Sequence, residues 1–321
     1  MYGGYLSDIS GIKLGHCNDS NALTGCTVAL CQEGATCGVD VRGSAPGTRE
    51  TDLLKAENLV EKVHGVLLSG GSAYGLDAAA GVMKYLEEQD IGMDVGVCKV
   101  PIVVGAVIFD LAVGDPKVRP DLQMGYNAAK SASATDRFQG CIGAGTGASV
   151  AKILGNEFSI KSGIGQASIK SGDLEVAAIT VLNAFGDIYD HEESKLIAAP
   201  YDRKNRKFLS TMELYEAKTK DYNAFNRSTN TTISIVATNA RLTKANCNKV
   251  AQMAHDGYGR SIIPVHTMFD GDTIFTMATN KVDADISFVG ALGAKVISRA
   301  IANAIYSSQS LGGLISHNDV Q

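Results

Sequence analysis

The chain has 321 residues, 45% of them hydrophobic, and a formal net charge of −5. This length and composition suit one large domain with a sizeable core, and the lack of basic excess argues against nucleic acid as the main partner. No run of 18 apolar residues is present, so no membrane-spanning helix is expected.

The seven cysteines are scattered and contain no CxxC pair, which argues against a zinc site. The N-terminal residues Met1 to Gly4 lack the charged and apolar regions of a signal peptide. We therefore expect a reduced, cytoplasmic protein.

The first third of the chain alternates short apolar runs with glycine-rich turns. Residues 24–31 and 36–42 are predicted to form a β-hairpin, and residues 65–68 a buried strand. Between them, the turn-rich segment 43–52 ends in residues typical of a helix start, which predicts a helix running through residues 53–63.

Two glycine-rich stretches could bind an anion or a nucleotide. The first, Ser69-Gly70-Gly71-Ser72, lies between the strand 65–68 and a helix predicted through Ala79 to Leu86. A helix N-terminus after such a turn can hold an oxyanion, although a plain tight turn explains the pattern equally well. The second, Gly143 to Ala148, comes close to a dinucleotide fingerprint but is followed by strand and turn residues, so a nucleotide-binding module stays only an alternative. A thermal shift with NAD or ATP would reveal such a module.

The second half contains clearer elements. The predicted elements are a buried strand 100–111, a helix 119–133, a strand 174–183 that ends at Asn183, a charged loop from Tyr189 to about Lys220, a polar loop 221–229, a strand opened by Asn230-Thr231-Thr232, a helix 243–258 capped by Thr243, a strand 273–278 and a closing helix 284–306.

Thr231 is predicted to lie where an exposed loop meets a rigid strand. If the bond before it were cut, its α-amine could act as the base for its own hydroxyl. The ordinary alternative is that Thr-Thr only opens a strand. A similar choice applies to Asp270 and Asp272, which could form a turn or a buried acidic pair that orients a nucleophile.

Four stretches, spread in order over nearly the whole chain, resemble the L-aminopeptidase/D-esterase (β-aminopeptidase) family. This family includes the self-cleaving nylon-oligomer endo-hydrolases. The matching stretches are Val39 to Asp52, Leu68 to Asp77, Gly143 to Gly147, and Asn230-Thr231-Thr232 through Ala240.

The resemblance implies an α+β fold, an αββα sandwich shared with ornithine acetyltransferase. It implies one catalytic domain, 1–321, that cleaves itself between Asn230 and Thr231 into fragments 1–230 and 231–321. It further implies no cofactor, no metal and a homotetramer.

The resemblance also assigns roles to residues. Thr231 would be the nucleophile, Asn183 the oxyanion-side amide and Lys152 the neighbouring positive charge, with Asp270 and Asp272 as the acidic pair. Aminopeptidase members carry Ser and Glu in place of these two Asp residues, and some members carry a tyrosine where Phe109 stands. The expected substrate and oxyanion pocket comprises Gly70, Gly71, Ser72, Phe109, Gly145 and Thr146.

The implied reaction is hydrolysis of an amide in a small molecule through a threonine acyl-enzyme. Amino-acid amides, β-peptides and short amide oligomers are the expected substrates, with an aminopeptidase slightly favoured. The alternatives are an endo-type 6-aminohexanoate-oligomer hydrolase and an acyltransferase on the same fold. An amine acceptor that competes with water would identify the acyltransferase.

Overall fold

The computed structural model describes residues 1–217 and 230–320. The described residues form five α-helices and nineteen strands, several of them only two residues long. The helices are α1 (Ala78–Glu88), α2 (Leu122–Lys130), α3 (Thr211–Ala217), α4 (Lys244–Ser261) and α5 (Ile286–Tyr306). The strands are β1 (Lys13–Asp19), β2 (Thr24–Val41), β3 (Thr48–Arg49), β4 (Lys62–Ser69), β5 (Met93–Asp94), β6 (Lys99–Val100), β7 (Val103–Val107), β8 (Ser149–Val150), β9 (Ile160–Lys161), β10 (Ile164–Ser171), β11 (Leu174–Val181), β12 (Asp187–Asp190), β13 (Lys195–Ala198), β14 (Tyr201–Asp202), β15 (Lys207–Phe208), β16 (Ile233–Ala240), β17 (Ile262–Ile263), β18 (Thr273–Val282) and β19 (Ile315–Ser316).

One nine-stranded sheet contains all the long strands. Its order is β10-β11-β16-β18-β2-β4-β7-β3, and β1 pairs with β2 beside this path. The pairs β16–β18 and β4–β7 are parallel, and the other pairs are antiparallel. Strand β2 has 18 residues and links the two halves of the sheet, because it pairs with β18 near one end and with β1 and β4 near the other.

The two halves of the sheet face each other across a buried apolar layer. Side chains of β4 and β7, such as Leu68 and Val104, share this layer with side chains of β11, β16 and β18, such as Ile179, Ile235 and Phe275. Helices α1 and α2 cover the outer face of the β4 half, and α4 and α5 cover the outer face of the β16 half. The result is the expected αββα sandwich.

Helix α5 is long and apolar enough to span a membrane, but it belongs to the core of this sandwich. Of its most apolar 18-residue window, 72% is buried, and the helix packs against α4, β10 and β11. Among the described residues it is the one helix that meets the length and composition criteria for a membrane span.

Four predicted elements differ from the structure. The strand expected over 100–111 is divided into β6 (Lys99–Val100) and β7 (Val103–Val107). Segments 24–31 and 36–42 do not form a hairpin, because β2 continues through both. Gly34 has a positive φ of +76° and lies where the pairing of β2 with β4 shifts in register. The predicted helix 53–63 is one 3-10 turn, Thr51–Leu54, followed by β4. The charged segment from Tyr189 onward contains β13, β14, β15 and α3 where a loop was expected. The predicted loop 221–229 lies outside the described residues.

The elements around the predicted site are close to their predicted bounds. Thr231 lies two residues before β16, and α4 begins after Thr243, whose side chain caps it by accepting from the Asn246 N–H. Strand β11 ends two residues before Asn183. The strand expected at 273–278 and the helix expected at 284–306 are β18 and α5.

Candidate active site

Thr231 lies in the interior, at the point where the chain enters the central sheet. Its backbone N–H donates to the Asn183 carbonyl oxygen at 3.0 Å. Its hydroxyl Oγ1 is 2.5 Å from the carbonyl oxygen of Asn230, the residue before it. The hydroxyl therefore contacts the carbonyl group of the Asn230–Thr231 peptide bond.

The strand register explains why Asn183 is the partner. Strands β11 and β16 run antiparallel with Val181 opposite Ile233. Because the strands are antiparallel, two residues after Val181 and two residues before Ile233 the same register places Asn183 opposite Thr231. Asn183, which follows β11, is thereby brought next to Thr231, which precedes β16.

A second register brings the acidic pair beside the Asn230–Thr231 bond. Strands β16 and β18 run parallel with Ile233 opposite Thr273, and a bridge continues this pairing to Asn230 and Asp270. The Gly271 N–H donates to the Asn230 carbonyl oxygen at 3.0 Å. The carbonyl of the Asn230–Thr231 bond is therefore in contact with a hydroxyl on one side and accepts from an N–H on the other.

Asp270 and Asp272 are both buried and have different partners. Asp270 Oδ2 accepts from the backbone N–H of Thr267 at 2.8 Å and from its hydroxyl at 2.6 Å. Asp272 Oδ1 accepts from the Thr232 N–H at 2.8 Å. Burial, with a further contribution from the charge of Asp272, raises the pKa of Asp270 to about 6.

Lys152 and Asn183 form the other side of the site. Lys152 follows β8, and its Nζ donates to Asn183 Oδ1 at 2.6 Å. Burial lowers the pKa of Lys152 to about 7, against the opposite effect of Asp270 and Asp110. The Asn183 Nδ2 donates to the Phe109 carbonyl oxygen at 3.1 Å, so one of its two N–H bonds remains for another acceptor.

A cavity of about 130 Å³ opens beside Thr231. Its walls are mostly apolar, and the polar members are Ser72, Asn230 and Thr231. The described lining consists of Ala45, Pro46, Gly47, Ser72, Ala73, Val107, Ile108, Phe109, Asn230, Thr231 and Phe269. The side-chain amide of Asn230 is buried and has no hydrogen-bond partner among the described residues.

Of the six predicted pocket residues, Ser72 and Phe109 line this cavity. The other four stand outside its described lining. The Gly71 N–H donates to Asp110 Oδ1 at 2.7 Å, and the Thr146 hydroxyl donates to the Gly143 carbonyl oxygen at 2.7 Å. Gly145 packs tightly against β10, and an added Cβ would lie 2.5 Å from the Ile164 nitrogen.

The glycine at position 70 is required by a close approach to Asp110. A Cβ at Gly70 would lie 2.1 Å from Asp110 Oδ2, the oxygen that accepts from the Thr24 hydroxyl at 2.7 Å. Asp110 is buried, and burial raises the pKa of its carboxyl group. Asp110 thus joins the Ser69–Ser72 turn to β2, and the turn places Ser72 at the cavity.

Two contributors to the site were not predicted from the sequence. Gly271 supplies the N–H that faces the Asn230 carbonyl, and His266 contacts Asp272 Oδ2 through Nδ1 at 2.8 Å. In the segment Phe269-Asp270-Gly271-Asp272, the sequence predicted only the two carboxylates as site groups, because no sequence pattern marks a backbone donor. Within residues 1–217 and 230–320, no group of three or more His, Cys, Asp or Glu side chains could hold a metal ion.

Comparison with known proteins gives one consistent family. Residues 5–318 match the model of peptidase family S58. The chain is 38% identical to an uncharacterised aminopeptidase of Mycobacterium leprae, over 96% of this chain and 92% of that protein. It is 31% identical to a 6-aminohexanoate-oligomer endohydrolase of a Kocuria species, over 86% of this chain and 75% of that protein.

The fold comparison agrees. The L-aminopeptidase D-Ala-esterase/amidase of Ochrobactrum anthropi, described as a variant of the Ntn-hydrolase fold, superposes with a TM-score of 0.71 at 15% identity, covering 98% of this chain and 92% of that one. A β-aminopeptidase of a Burkholderia species gives a TM-score of 0.66 at 19% identity, over 98% and 90% of the two chains. Together with the family match over nearly the whole chain, these findings show that the chain belongs to peptidase family S58.

Proposed function

We propose that this peptidase-family chain cleaves itself between Asn230 and Thr231, and that the freed Thr231 is the nucleophile of an amide hydrolase. The observation that carries the proposal is the contact of 2.5 Å between the Thr231 hydroxyl and the Asn230 carbonyl oxygen. The fragments would comprise residues 1–230 and the remaining 91 of the 321 residues.

The self-cleavage begins with an N→O acyl shift. The Thr231 oxygen forms a bond to the Asn230 carbonyl carbon, the C–N bond breaks, and the hydroxyl proton passes to the nitrogen of Thr231. Water then hydrolyses the ester, which leaves a carboxylate on Asn230 and a free hydroxyl and α-amine on Thr231. The Gly271 N–H, 3.0 Å from the carbonyl oxygen, would stabilise the oxyanion of the first step.

Turnover would use the same geometry with the α-amine as base. A free α-amine has a pKa near ~8, close to working pH. The amine of Thr231 would retain the Asn183 carbonyl as its acceptor, which orients it on the nucleophile side. Asn183 would donate its remaining N–H to the oxyanion of the acyl-enzyme, and such a donor is typically worth about 3 kcal/mol.

Lys152 and the acidic pair would support these groups. Lys152 holds Asn183 through a bond of 2.6 Å to its Oδ1, and in its charged form it would favour the neutral form of the α-amine. Asp272 holds the backbone N–H of Thr232, and Asp270 holds that of Thr267 in the turn that leads to Gly271. The negative charges of Asp270 and Asp110 partly offset the effect of burial on Lys152 and favour its charged form.

The cavity supports small, linear and largely apolar acyl groups as substrates. A volume of about 130 Å³ has room for a few methylene-sized groups and excludes a folded protein chain. Asn230 occupies the acyl side before the cut, and no side-chain bond among the described residues holds it there. Its departure would enlarge the site for an amino-acid amide, a β-peptide or a short amide oligomer.

An endo-type hydrolase is the second candidate, and the cavity lining favours it. Aminopeptidases need a carboxylate to hold the free amine of the substrate, but no acidic residue is among the described lining residues. Both oxygens of Asp272 and one of Asp270 are already hydrogen-bonded. The relative named as an oligomer endohydrolase is in keeping with this alternative.

A pair of substrates separates the two candidates. An amino-acid p-nitroanilide and its N-acetylated form should both be hydrolysed by an endo-type enzyme, whereas an aminopeptidase should cleave only the free-amine form. Thr231→Ala is the control and should hydrolyse neither. If fully cleaved protein turned over neither substrate, the hydrolase proposal would fail in favour of an acyltransferase.

We also propose a cytoplasmic homo-oligomer, with a tetramer as the expected state. The expectation comes from the family resemblance, because Gly290, Gly293 and Ala294 of the small-residue stretch on α5 are buried within this chain. Analytical ultracentrifugation at micromolar concentration should give a mass near four chains, and a stable monomer would contradict it.

A further inference from the structure

His266 contacts Asp272 on the side away from Thr232, and the proposed reaction gives it no role. Its Nδ1 lies 2.8 Å from Asp272 Oδ2, and its backbone N–H donates to the same oxygen at 3.2 Å. Asp272 is almost fully buried, whereas the His266 side chain retains 20% exposure. A carboxylate only accepts hydrogen bonds, so the contact assigns the imidazole proton to Nδ1.

Asp272 also contacts the segment that contains Thr231. Its second oxygen, Oδ1, accepts from the Thr232 N–H at 2.8 Å. Thr232 directly follows Thr231, and its carbonyl oxygen accepts from the Thr273 N–H at 3.1 Å. The orientation of the Asp272 carboxylate therefore sets the position of the peptide group between Thr231 and Thr232.

The His266 ring is held in place by two aromatic neighbours on α4. The ring of His255 lies edge-on at 4.8 Å, and the ring of Tyr258 lies at 5.9 Å. Each neighbour is anchored in turn: His255 Nε2 is 3.1 Å from the Asp40 carbonyl oxygen, and the Tyr258 hydroxyl is 2.7 Å from Ser234 Oγ on β16. Burial lowers the pKa of His255 to about 3, so this neighbour is uncharged at neutral pH.

The backbone of His266 is also unusual. Its φ of +56° lies in the left-handed region, which is uncommon for residues other than glycine and asparagine. This conformation directs both the backbone N–H and Nδ1 of one residue to the same carboxylate oxygen. A backbone of this kind persists where surrounding contacts enforce it.

We propose that His266 is a positioning residue for the reaction of Thr231. It fixes the Asp272 carboxylate in the orientation that holds the Thr232 N–H, and thereby aligns the Thr231 hydroxyl with the carbonyl it attacks. Without this bond, Asp272 Oδ2 would keep only the longer bond of 3.2 Å from the His266 backbone N–H, and the carboxylate would hold the Thr232 N–H less firmly. This inference rests on the proposed function of Thr231.

Three substitutions test the hydrogen bond. In His266→Asn, the side-chain amide nitrogen stands two bonds from Cβ, as Nδ1 does, and asparagine tolerates a positive φ. In His266→Gln, the amide nitrogen stands one bond further out and cannot reproduce the contact. His266→Ala removes the donor entirely, and His317→Asn is the matched control because His317 bonds to the Ile197 carbonyl oxygen, far from Thr231 in the chain.

The measurement is the rate at which the 91-residue fragment appears, followed by kcat and KM of cleaved protein and by the melting temperature of each variant. We expect His266→Ala and His266→Gln to slow cleavage and kcat by roughly tenfold or more, with KM little changed, since only alignment is lost. His266→Asn and His317→Asn should stay within about threefold of the wild type, which is under 1 kcal/mol.

Equal rates for His266→Asn and His266→Gln would overturn the proposal, and so would a normal rate for His266→Ala. If His266→Ala does not fold, the comparison of Asn with Gln still decides. Failure of the wild type to cleave, or cleavage by Thr231→Ala, would instead overturn the proposed function.

Discussion

Lys152 offers a test in which stability and activity should change in opposite directions. Burial lowers its pKa from 10.5 to about 7. The folded pKa is thus below the unfolded one, and between pH 7 and 10.5 the unfolded chain binds more protons. The free energy of unfolding should therefore rise with pH across this window, and the full cost of burying the charge is present below pH 7.

Lys152→Met removes that cost and keeps a side chain of similar length. A pKa difference of about 3.5 units corresponds to an upper limit of roughly 4 to 5 kcal/mol at 1.36 kcal/mol per unit. Lys152 is partly exposed and donates to Asn183, so part of this gain is offset. We expect a stabilisation of about 1 to 3 kcal/mol at pH 7.

The assay is urea unfolding of Thr231→Ala and of Thr231→Ala with Lys152→Met, at pH 7 and at pH 10. The Thr231→Ala background keeps both proteins as single chains, so neither fragment formation nor a free α-amine affects the comparison. The difference in free energy of unfolding between the two proteins should be smaller at pH 10, where Lys152 is neutral in the folded Thr231→Ala protein. An advantage of the same size at both pH values, or no advantage at pH 7, would refute the reasoning.

In the Thr231 protein, the same Lys152→Met substitution should slow fragment formation and turnover by about 100-fold, because it removes the bond that orients Asn183 and the loss of an oxyanion donor costs about that much.

Three further changes have defined outcomes. Gly271→Ala should block most fragment formation, measured by mass spectrometry, because the new Cβ would lie 2.7 Å from Thr231 Oγ1. Self-cleavage, in which the Thr231 nitrogen is still part of a peptide bond, should slow as the pH drops below about 6, where Asp270 takes up a proton, and Asp270→Asn should remove this pH dependence. Gly70→Ala should destabilise the protein by roughly 1 to 3 kcal/mol in urea unfolding, since its Cβ would overlap the Asp110 carboxylate.

The sequence located the elements of the site better than their neighbours. Periodicity and caps predicted the strand before Asn183, the strand after Thr231 and the helix after Thr243, because each has an apolar pattern or a cap of its own. The resemblance supplied the roles of Lys152 and the acidic pair, which composition alone left open.

What a single sequence could not supply is register. Asn183 and Asp270 lie near Thr231 because β11 and β18 flank β16, and the registers of these strands place the three residues at the same end of the strands. Side-chain patterns have a period of two in every strand, so they do not specify which strand is the neighbour. The same limit explains the wrong hairpin at 24–42, where a glycine within one long strand resembled a turn.

Backbone donors and left-handed residues also escaped prediction. The Gly271 N–H and the φ of His266 depend on the tertiary path of the segment 264–272, and no local motif specifies either. Both features contribute to the site only because the pairing of β16 with β18 places this segment beside Thr231.

The intact mass of purified wild-type protein and of Thr231→Ala tests the central claim most directly. The proposed function predicts two fragments of 230 and 91 residues for the wild type, with threonine at the new N-terminus, and one chain of 321 residues for the variant. A single wild-type chain that still hydrolyses amides, or the same two fragments from Thr231→Ala, would contradict it.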